Sequence, residues 1–515
     1  MRPPSLSLAP GSRVPHAGGR PDTVRAVTGI RKRAAGWLPG FVAVAGGAVV
    51  LRLIAGVGFA NYDTLYALAW GGQFAQGETP AYGVPISPTP HPLIELLGIV
   101  LHPLSPHAEI EVVVWIGYLA LAGCGWVIFR LGQRWFGAAA GALAALLFVT
   151  RVPVISYGVR AYLDVPYVLL VLCALLVELR RPRAGTPVLA LLALAGLLRP
   201  EAWVFSGLYW LYLVGLVPGR LRAHLPAGEP VRDRGRLAAL TLLAAAGPLI
   251  WLLSDLAVTG NPLWSLTHTR HTASTLDRKT GIRNVPEYVP RRIGEVLQAA
   301  ALAGAFVGAV LSLLWRRAQA LVPAVGAALA VAVFVAFAVI GLPINTRYAF
   351  LAAAFGCLFC GAAVFGWMPL RRDDAHRAPW MAAGALVAVA LLATAPSQYR
   401  TAHRELRKLA AQEGIEGDLE ALVGSGAVNL RCGPIGVPNH APIPLLALYL
   451  RTSPANVRSA QTGHIDSGVY VDPASQAVER EYILDDHDPH ETVSVPPGFS
   501  PAASNRSWLI FHRCL

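Results

Sequence analysis

Asn61-Tyr62-Asp63-Thr64-Leu65-Tyr66-Ala67-Leu68-Ala69-Trp70, running on to Pro92, stands immediately after the first long apolar segment of the chain. A carboxylate, the aromatics Tyr62, Tyr66 and Trp70, and a Pro/His-rich run from Pro85 to Pro92 that includes His91 occupy the place where that segment ends. Lipid gives no reason to put Asp63 there, because a charge at bilayer depth is expensive unless it faces protein or a water-filled cavity. Asp63 therefore either begins a helix or takes part in chemistry. Which of these holds depends on the segments around it.

Apolar runs of about twenty residues, the length that suits a bilayer-spanning helix, recur from Trp37 to Pro396. The 515 residues are 54% apolar and 14% charged, with a mean hydropathy of +0.49, whereas soluble domains carry about 25% charged residues. The net charge of +13 would suit nucleic acid, but the arginines gather between apolar runs. That is the pattern of cytoplasmic loops under the positive-inside rule, so the expected partner is the bilayer and not nucleic acid. Lysine occurs only as Lys32, Lys279 and Lys408 while Arg, Ala, Gly and Pro abound, which points to a GC-rich bacterial genome.

Residues 1–36, rich in Pro, Gly and Arg, are expected to be disordered. They end in Arg31-Lys32-Arg33, which should hold the N-terminus in the cytoplasm. The first span runs outward from Trp37 to Ala60 and is too long for a signal-peptide core. Arg52, in its outer third, either faces a protein interior or snorkels. Leu93 to Leu104, broken by His102-Pro103, reads as an interfacial or re-entrant helix. Spans are expected over 111–129, 137–155 and 165–179, then over 237–258, 293–314 and 321–342, after Tyr348, and over 380–396. Pro187 to Val217 is apolar except at Arg199-Pro200-Glu201 and is flanked by Arg180, Arg181 and Arg183 before it and by Arg220, Arg222, Arg232, Arg234 and Arg236 after it. If both flanks are cytoplasmic, the segment must enter and return, on arms of about 20 Å with Pro200 at the break. The total is about eleven crossings.

From Gln398 the composition turns soluble. Ala402 to Ala411 reads as a helix, and Ala427-Val428-Asn429-Leu430 and Trp508-Leu509-Ile510-Phe511 read as short strands, each followed by Cys432 or Cys514. Adjacent strand ends would bring the two sulfurs within bonding distance, and an oxidising compartment would allow the disulfide. Cys124, Cys173, Cys357 and Cys360 lie in apolar segments and read as core residues. Cys357-Leu358-Phe359-Cys360 imitates a zinc or redox motif, but no second Cys/His pair accompanies it. The expected fold is an α-helical polytopic protein of the plasma membrane. A cytoplasmic N-terminus (1–36) precedes a transmembrane catalytic domain (37–397) with outer loops 61–108, 156–164 and 259–292. A small extracytoplasmic α/β domain (398–515) follows.

Asp63 and Asp164 both follow an outward span, on one face. Each could be a helix N-cap, but the aromatics around both (Tyr62, Tyr66, Tyr157, Tyr162) make a shared site the better reading. A carboxylate there can act as a general base toward an acceptor hydroxyl, or with a second carboxylate hold a divalent cation, Mg2+ or Mn2+. On the same face fall Arg160, Arg199 with Glu201, Arg347-Tyr348, and a basic loop over 268–292 that contains His268, Arg270, His271 and Arg278. Arginine suits phosphate oxygens through paired hydrogen bonds, and a departing phosphate needs its charge stabilised. The alternatives are a solvated face for the loop and an internal ion pair for Arg199 with Glu201.

The acidic first outer loop, the second acidic residue after the third span and the soluble C-terminal part together resemble the C-type (GT-C) glycosyltransferase superfamily. That superfamily includes the protein O-mannosyltransferases and the aminoarabinose transferases of lipid A. The resemblance implies that Asp63 is the catalytic acid group, with Asp164 assisting. It also implies that Arg347-Tyr348 meets the donor phosphate; the positive charge gathered on the same face adds Arg199, Arg270 and His271 there. Leu198-Arg199-Pro200-Glu201-Ala202-Trp203 is similar to the Arg-Pro-Glu segments of many bacterial members. Glu201, Tyr62, Tyr66, His91 and Arg160 would support the site. Many relatives pair two acids in the first loop, whereas Tyr62 and Thr64 flank Asp63 here, which favours a simple base over a metal site. No Trp-Trp-Asp motif is present, so a peptide sequon is not the expected acceptor.

The expected reaction moves a sugar, mannose or arabinose, from a polyprenyl-phosphate donor to a glycan, lipid or protein on the outer face, as in actinobacterial members. A transporter or lipid flippase is the rival. It would show internal repeats and charges along a midplane pathway, and the chain has no internal repeat.

Overall fold

The computed structural model describes residues 22–216, 231–483 and 494–514, with side chains from Leu38 onward. Among these, seven helices are long and apolar enough to cross a membrane. They are residues 38–55 of α1 (Asp22–Ala55), α4 (Pro106–Phe136), α10 (Arg234–Thr259), α12 (Val285–Trp315), α13 (Arg317–Val339), α14 (Phe350–Phe365) with the turn before it, and α15 (Arg377–Gly424). The pair α5 (Ala138–Val149) and α6 (Val152–Val159), bent by 62°, makes an eighth crossing if counted as one. The chain is a multi-pass membrane protein.

Breaks in the helices have identifiable causes. Pro153 follows the α5–α6 bend, where Arg151 replaces lost backbone bonds. Its Nε donates to the Leu147 carbonyl at 3.0 Å, and its Nη1 donates to the Leu297 carbonyl at 3.1 Å. That second carbonyl lies at a kink in α12, where Gln298 takes φ 60°. The arginine pins two bends together.

The Arg-Pro-Glu segment is a hairpin. α8 (Thr186–Leu198) and α9 (Glu201–Val214) run antiparallel: Gly185 at one open end donates to the Tyr209 hydroxyl at 3.0 Å, and Trp203 near the tip donates to the Gly196 carbonyl at 2.9 Å. The segment is therefore not one continuous helix: α8 ends at Leu198 and α9 starts at Glu201. Of the arginine flanks, Arg220 and Arg222 lie outside the described residues. α7 (Asp164–Arg180) precedes the hairpin. α2 (Tyr62–Ala75) and the short α3 (Pro92–Leu101), too short to span, fill the first loop.

α12 and α14 pack closely through glycine. A Cβ on Gly304 would meet the Cys360 sulfur at 2.5 Å, and one on Gly308 would overlap the Phe359 carbonyl.

After α15 come β1 (Ile435–Val437), α16 (Ile443–Tyr449), β2 (Val457–Ser459), β3 (Gly468–Pro473), β4 (Ser500–Ser504) and β5 (Trp508–Arg513). The sheet order is β2-β1-β3-β5-β4. β1 lies parallel to β2 and β3, while β5 runs antiparallel to β3 and β4. A disulfide joins Cys432 to Cys514 across 4.7 Å between Cα atoms.

Two expectations need correction. Ala427 to Leu430 is a turn and not a strand, because α15 runs to Gly424 and the chain must reverse before β1. Helix α1 begins at Asp22, inside the stretch expected to lack structure; residues 1–21 lie outside the description. α15 itself carries the chain from the last span past Gln398 as one 48-residue helix.

Candidate active site

Neither aspartate caps a helix. The N-cap of α2 is Asn61, whose side-chain oxygen accepts from the backbone N–H of Asp63 at 2.9 Å and of Thr64 at 3.3 Å. This leaves the Asp63 carboxylate free for other partners. Asn61 also donates to the Arg160 carbonyl from its backbone (2.9 Å) and from its side chain (3.1 Å), and the Thr64 hydroxyl donates to the Ala161 carbonyl at 2.9 Å. These bonds stitch the start of α2 to the turn between α6 and α7. Ala161 takes φ 50° in that turn, and α7 then starts on Asp164 with no side-chain cap bond.

The result is a row of alternating charges. Arg347 Nη1 lies 2.6 Å from Asp63 Oδ2 and 3.8 Å from Asp164 Oδ2. Arg199 Nη1 lies 2.6 Å from Asp164 Oδ1, and its Nη2 lies 3.0 Å from Glu201. Tyr348 presents its ring 4.2 Å from the Arg199 guanidinium and 5.6 Å from that of Arg347, and Tyr162 lies 5.5 Å from the latter. Asp164, Arg199 and Glu201 are buried. Removing one partner of such a pair costs about 3–5 kcal/mol, because it strands the other charge. Three carboxylates face two guanidiniums, and Asp164 Oδ2 and Arg347 Nε are buried without a hydrogen bond. The row therefore keeps polar capacity in reserve.

A cleft opens beside it. Its charged end is Asp164, Arg199, Glu201, Arg347 and Tyr348, and its wall is Phe205 from α9, Val333 and Phe334 from α13 and Leu351 from α14. A charged end joined to an apolar wall suits a ligand with an anionic head and a hydrocarbon tail.

Burial alone would raise the Asp63 carboxyl, but Arg347, with His91 and Arg278 nearby, outweighs it and holds the group below the usual carboxylate range. His91 is buried, and burial with the two arginines lowers its imidazole to about 3 despite the opposing pull of Asp63. It is neutral at physiological pH.

The other expected residues divide. Tyr62 and Tyr66 stack edge to face at 5.0 Å beside Asp63, and the Tyr62 hydroxyl donates to the Ile86 carbonyl at 3.2 Å. Tyr62 also meets His440 of the C-terminal part at 5.4 Å. Arg270 does not join the row: its guanidinium donates to the Ile340 carbonyl at the end of α13. His271, the next residue on α11 (Trp264–Thr275), is exposed. Arg160 turns to Ser156, with its guanidinium over Tyr157 and Tyr162. Arg278, three residues past the end of α11, is the loop arginine whose charge acts on Asp63. Only its membership of a basic loop marked it in sequence.

A shared cation does not fit this arrangement, because the Arg347 guanidinium holds the place between Asp63 and Asp164 that it would need. Among the described residues no three His, Cys, Asp or Glu side chains converge as a metal-binding group.

No protein-family model matches the chain, and no curated protein matches it in sequence. Among solved structures, ArnT from Cupriavidus metallidurans bound to undecaprenyl phosphate superposes with a TM-score of 0.54 at 17% identity, over 93% of this chain and 98% of that one. The apo state of the same protein gives 0.53. The chain has the fold of that protein. At this identity the likeness is one of fold. In this chain that fold carries the charged row on helix starts and turns.

Proposed function

We propose that the chain is an integral membrane glycosyltransferase that moves a sugar, mannose or arabinose, from a polyprenyl-phosphate donor to an acceptor outside the cytoplasm. The observation that carries the reading is Arg347 paired with Asp63 at 2.6 Å, at the head of a cleft with an apolar wall. A base and an anion-binding group meet there beside a surface that suits a lipid. The capture of undecaprenyl phosphate by ArnT, which shares the fold, supports a donor of this kind. The arginine flanks support a site face outside the cytoplasm.

In the reaction Asp63 accepts the proton of an acceptor hydroxyl, and that oxygen bonds to the anomeric carbon of the sugar. The bond from that carbon to the phosphate oxygen breaks, and its electron pair leaves with the polyprenyl phosphate. Arg347 and Arg199 stabilise that charge, while Asp164 and Glu201 hold the two guanidiniums in place. Before donor binds, Arg347 is the counter-ion of Asp63. The arriving phosphate gives the guanidinium a second anion and loosens its hold on the base.

Asp63→Asn preserves shape and removes the base. Transfer from a panel of polyprenyl-phosphate sugars should fall to background while the purified variant elutes like the parent and still unfolds cooperatively, at a melting temperature lowered by loss of the Arg347 pair. Substantial turnover by that variant would remove Asp63 from the mechanism.

A further inference from the structure

The turn that presents Arg347 is gripped from one side by α12. The Thr346 hydroxyl donates to Glu295 Oε2 at 2.8 Å. Arg292 closes on both oxygens of the same carboxylate at 2.9 and 2.8 Å, and its Nε donates to the Ile344 carbonyl at 3.1 Å. One carboxylate and one guanidinium thus fix the backbone on the N-terminal side of Arg347. The glycine contacts of α12 with α14 fix the chain beyond it. Arg151 reaches the same part of α12, at the Leu297 carbonyl two residues past Glu295. The Arg347 guanidinium reaches Asp63 and Asp164 from a backbone that the Ile344 and Thr346 contacts hold. Its position therefore depends on where its backbone is held.

We infer that Glu295, through Thr346 and with Arg292, is a positioning residue that sets the Arg347 guanidinium between the two aspartates. The inference rests on the proposed role of Arg347 and extends it to residues outside the charged row. Sites of this kind work within a tolerance of about 0.5 Å, and a displacement of about 1 Å lowers turnover roughly a hundredfold. A grip on Ile344 and Thr346 acts over that range.

The test uses the full-length protein in lipid nanodiscs, with two readouts. The first is amide hydrogen exchange over residues 344–350, which needs no activity. Glu295→Ala and the near-isosteric Thr346→Val should speed it, and Thr346→Ser should not. The second is turnover with a polyprenyl-phosphate sugar donor. Glu295→Ala and Thr346→Val should lose about ten- to a hundredfold, and Thr346→Ser should keep parental rates. In an Arg347→Lys background the Glu295 substitution should add no further loss. Unchanged exchange in both Glu295→Ala and Thr346→Val overturns the inference, as do losses that multiply with Arg347→Lys. A parent protein inactive with every donor, yet with exchange that responds as described, removes the proposed reaction and leaves the positioning intact.

Discussion

At the residue scale, the site is defined by which charges have partners. Asp63 is held low by Arg347, so its contribution to stability is present above the unfolded carboxyl pKa of about 3.9. That contribution is lost only as pH falls through its lower folded value, and the pair is intact at physiological pH. His91 behaves in the same sense, over a higher window. Its folded pKa of about 3 lies below the unfolded value of about 6.5, so between these limits the unfolded chain binds more protons than the folded one. Stability therefore falls as pH drops from about 6.5 towards 3. His91→Gln should flatten the decline in melting temperature across that window, and a parallel decline in parent and variant would show that His91 is not the group responsible. The sequence brought Asp63 and Asp164 to notice but left capping open for both. Asn61, a strong capping residue two positions before Asp63, was the signal that could have settled the first case.

At the element scale, the arrangement of α12 against α14 locates Arg347. Gly308 admits no side chain without displacing the Phe359 backbone, and backbone cannot yield as a flexible side chain can. Gly308→Val should lower the melting temperature and reduce transfer together, read by thermal unfolding and donor turnover. Gly46 meets nothing within 4 Å, and Gly46→Ala should leave both unchanged. The hairpin was readable because Pro200 and the arginine flanks are local features. The kink at Gln298 was not, because the donor to the Leu297 carbonyl beside it is Arg151, 146 residues away.

At the scale of the whole molecule, the membrane bundle and the C-terminal sheet are joined by α15 and by contacts such as Arg451 Nη1 with Glu109 at 2.5 Å. The disulfide closes a separation of 82 residues, for which typical stabilisation is about 2–5 kcal/mol. Cys432→Ser should lower the melting temperature of the full-length protein, and loss of the same magnitude in parent treated with reductant would confirm the bond as the cause. Placement of the site face outside the cytoplasm predicts that a tag after Leu515 is labelled by an impermeant reagent on intact cells. Labelling only after lysis would reverse the proposed orientation.

Apolar run lengths, arginine flanks and a proline between two short arms are properties of neighbouring residues. They were enough for a polytopic helical protein with a soluble C-terminal part, and for a face rich in acids and arginines. Pairing within that face is not a local property. Asp63 and Arg347 are 284 residues apart, and whether a carboxylate meets a guanidinium, a cation or a helix end depends on which elements pack side by side. The same holds for Arg270 and Arg278, which share one basic loop. Only the tertiary arrangement put the Arg278 charge where Asp63 feels it and tied Arg270 to the Ile340 carbonyl, because Arg270 lies on α11 and Arg278 in the turn beyond it.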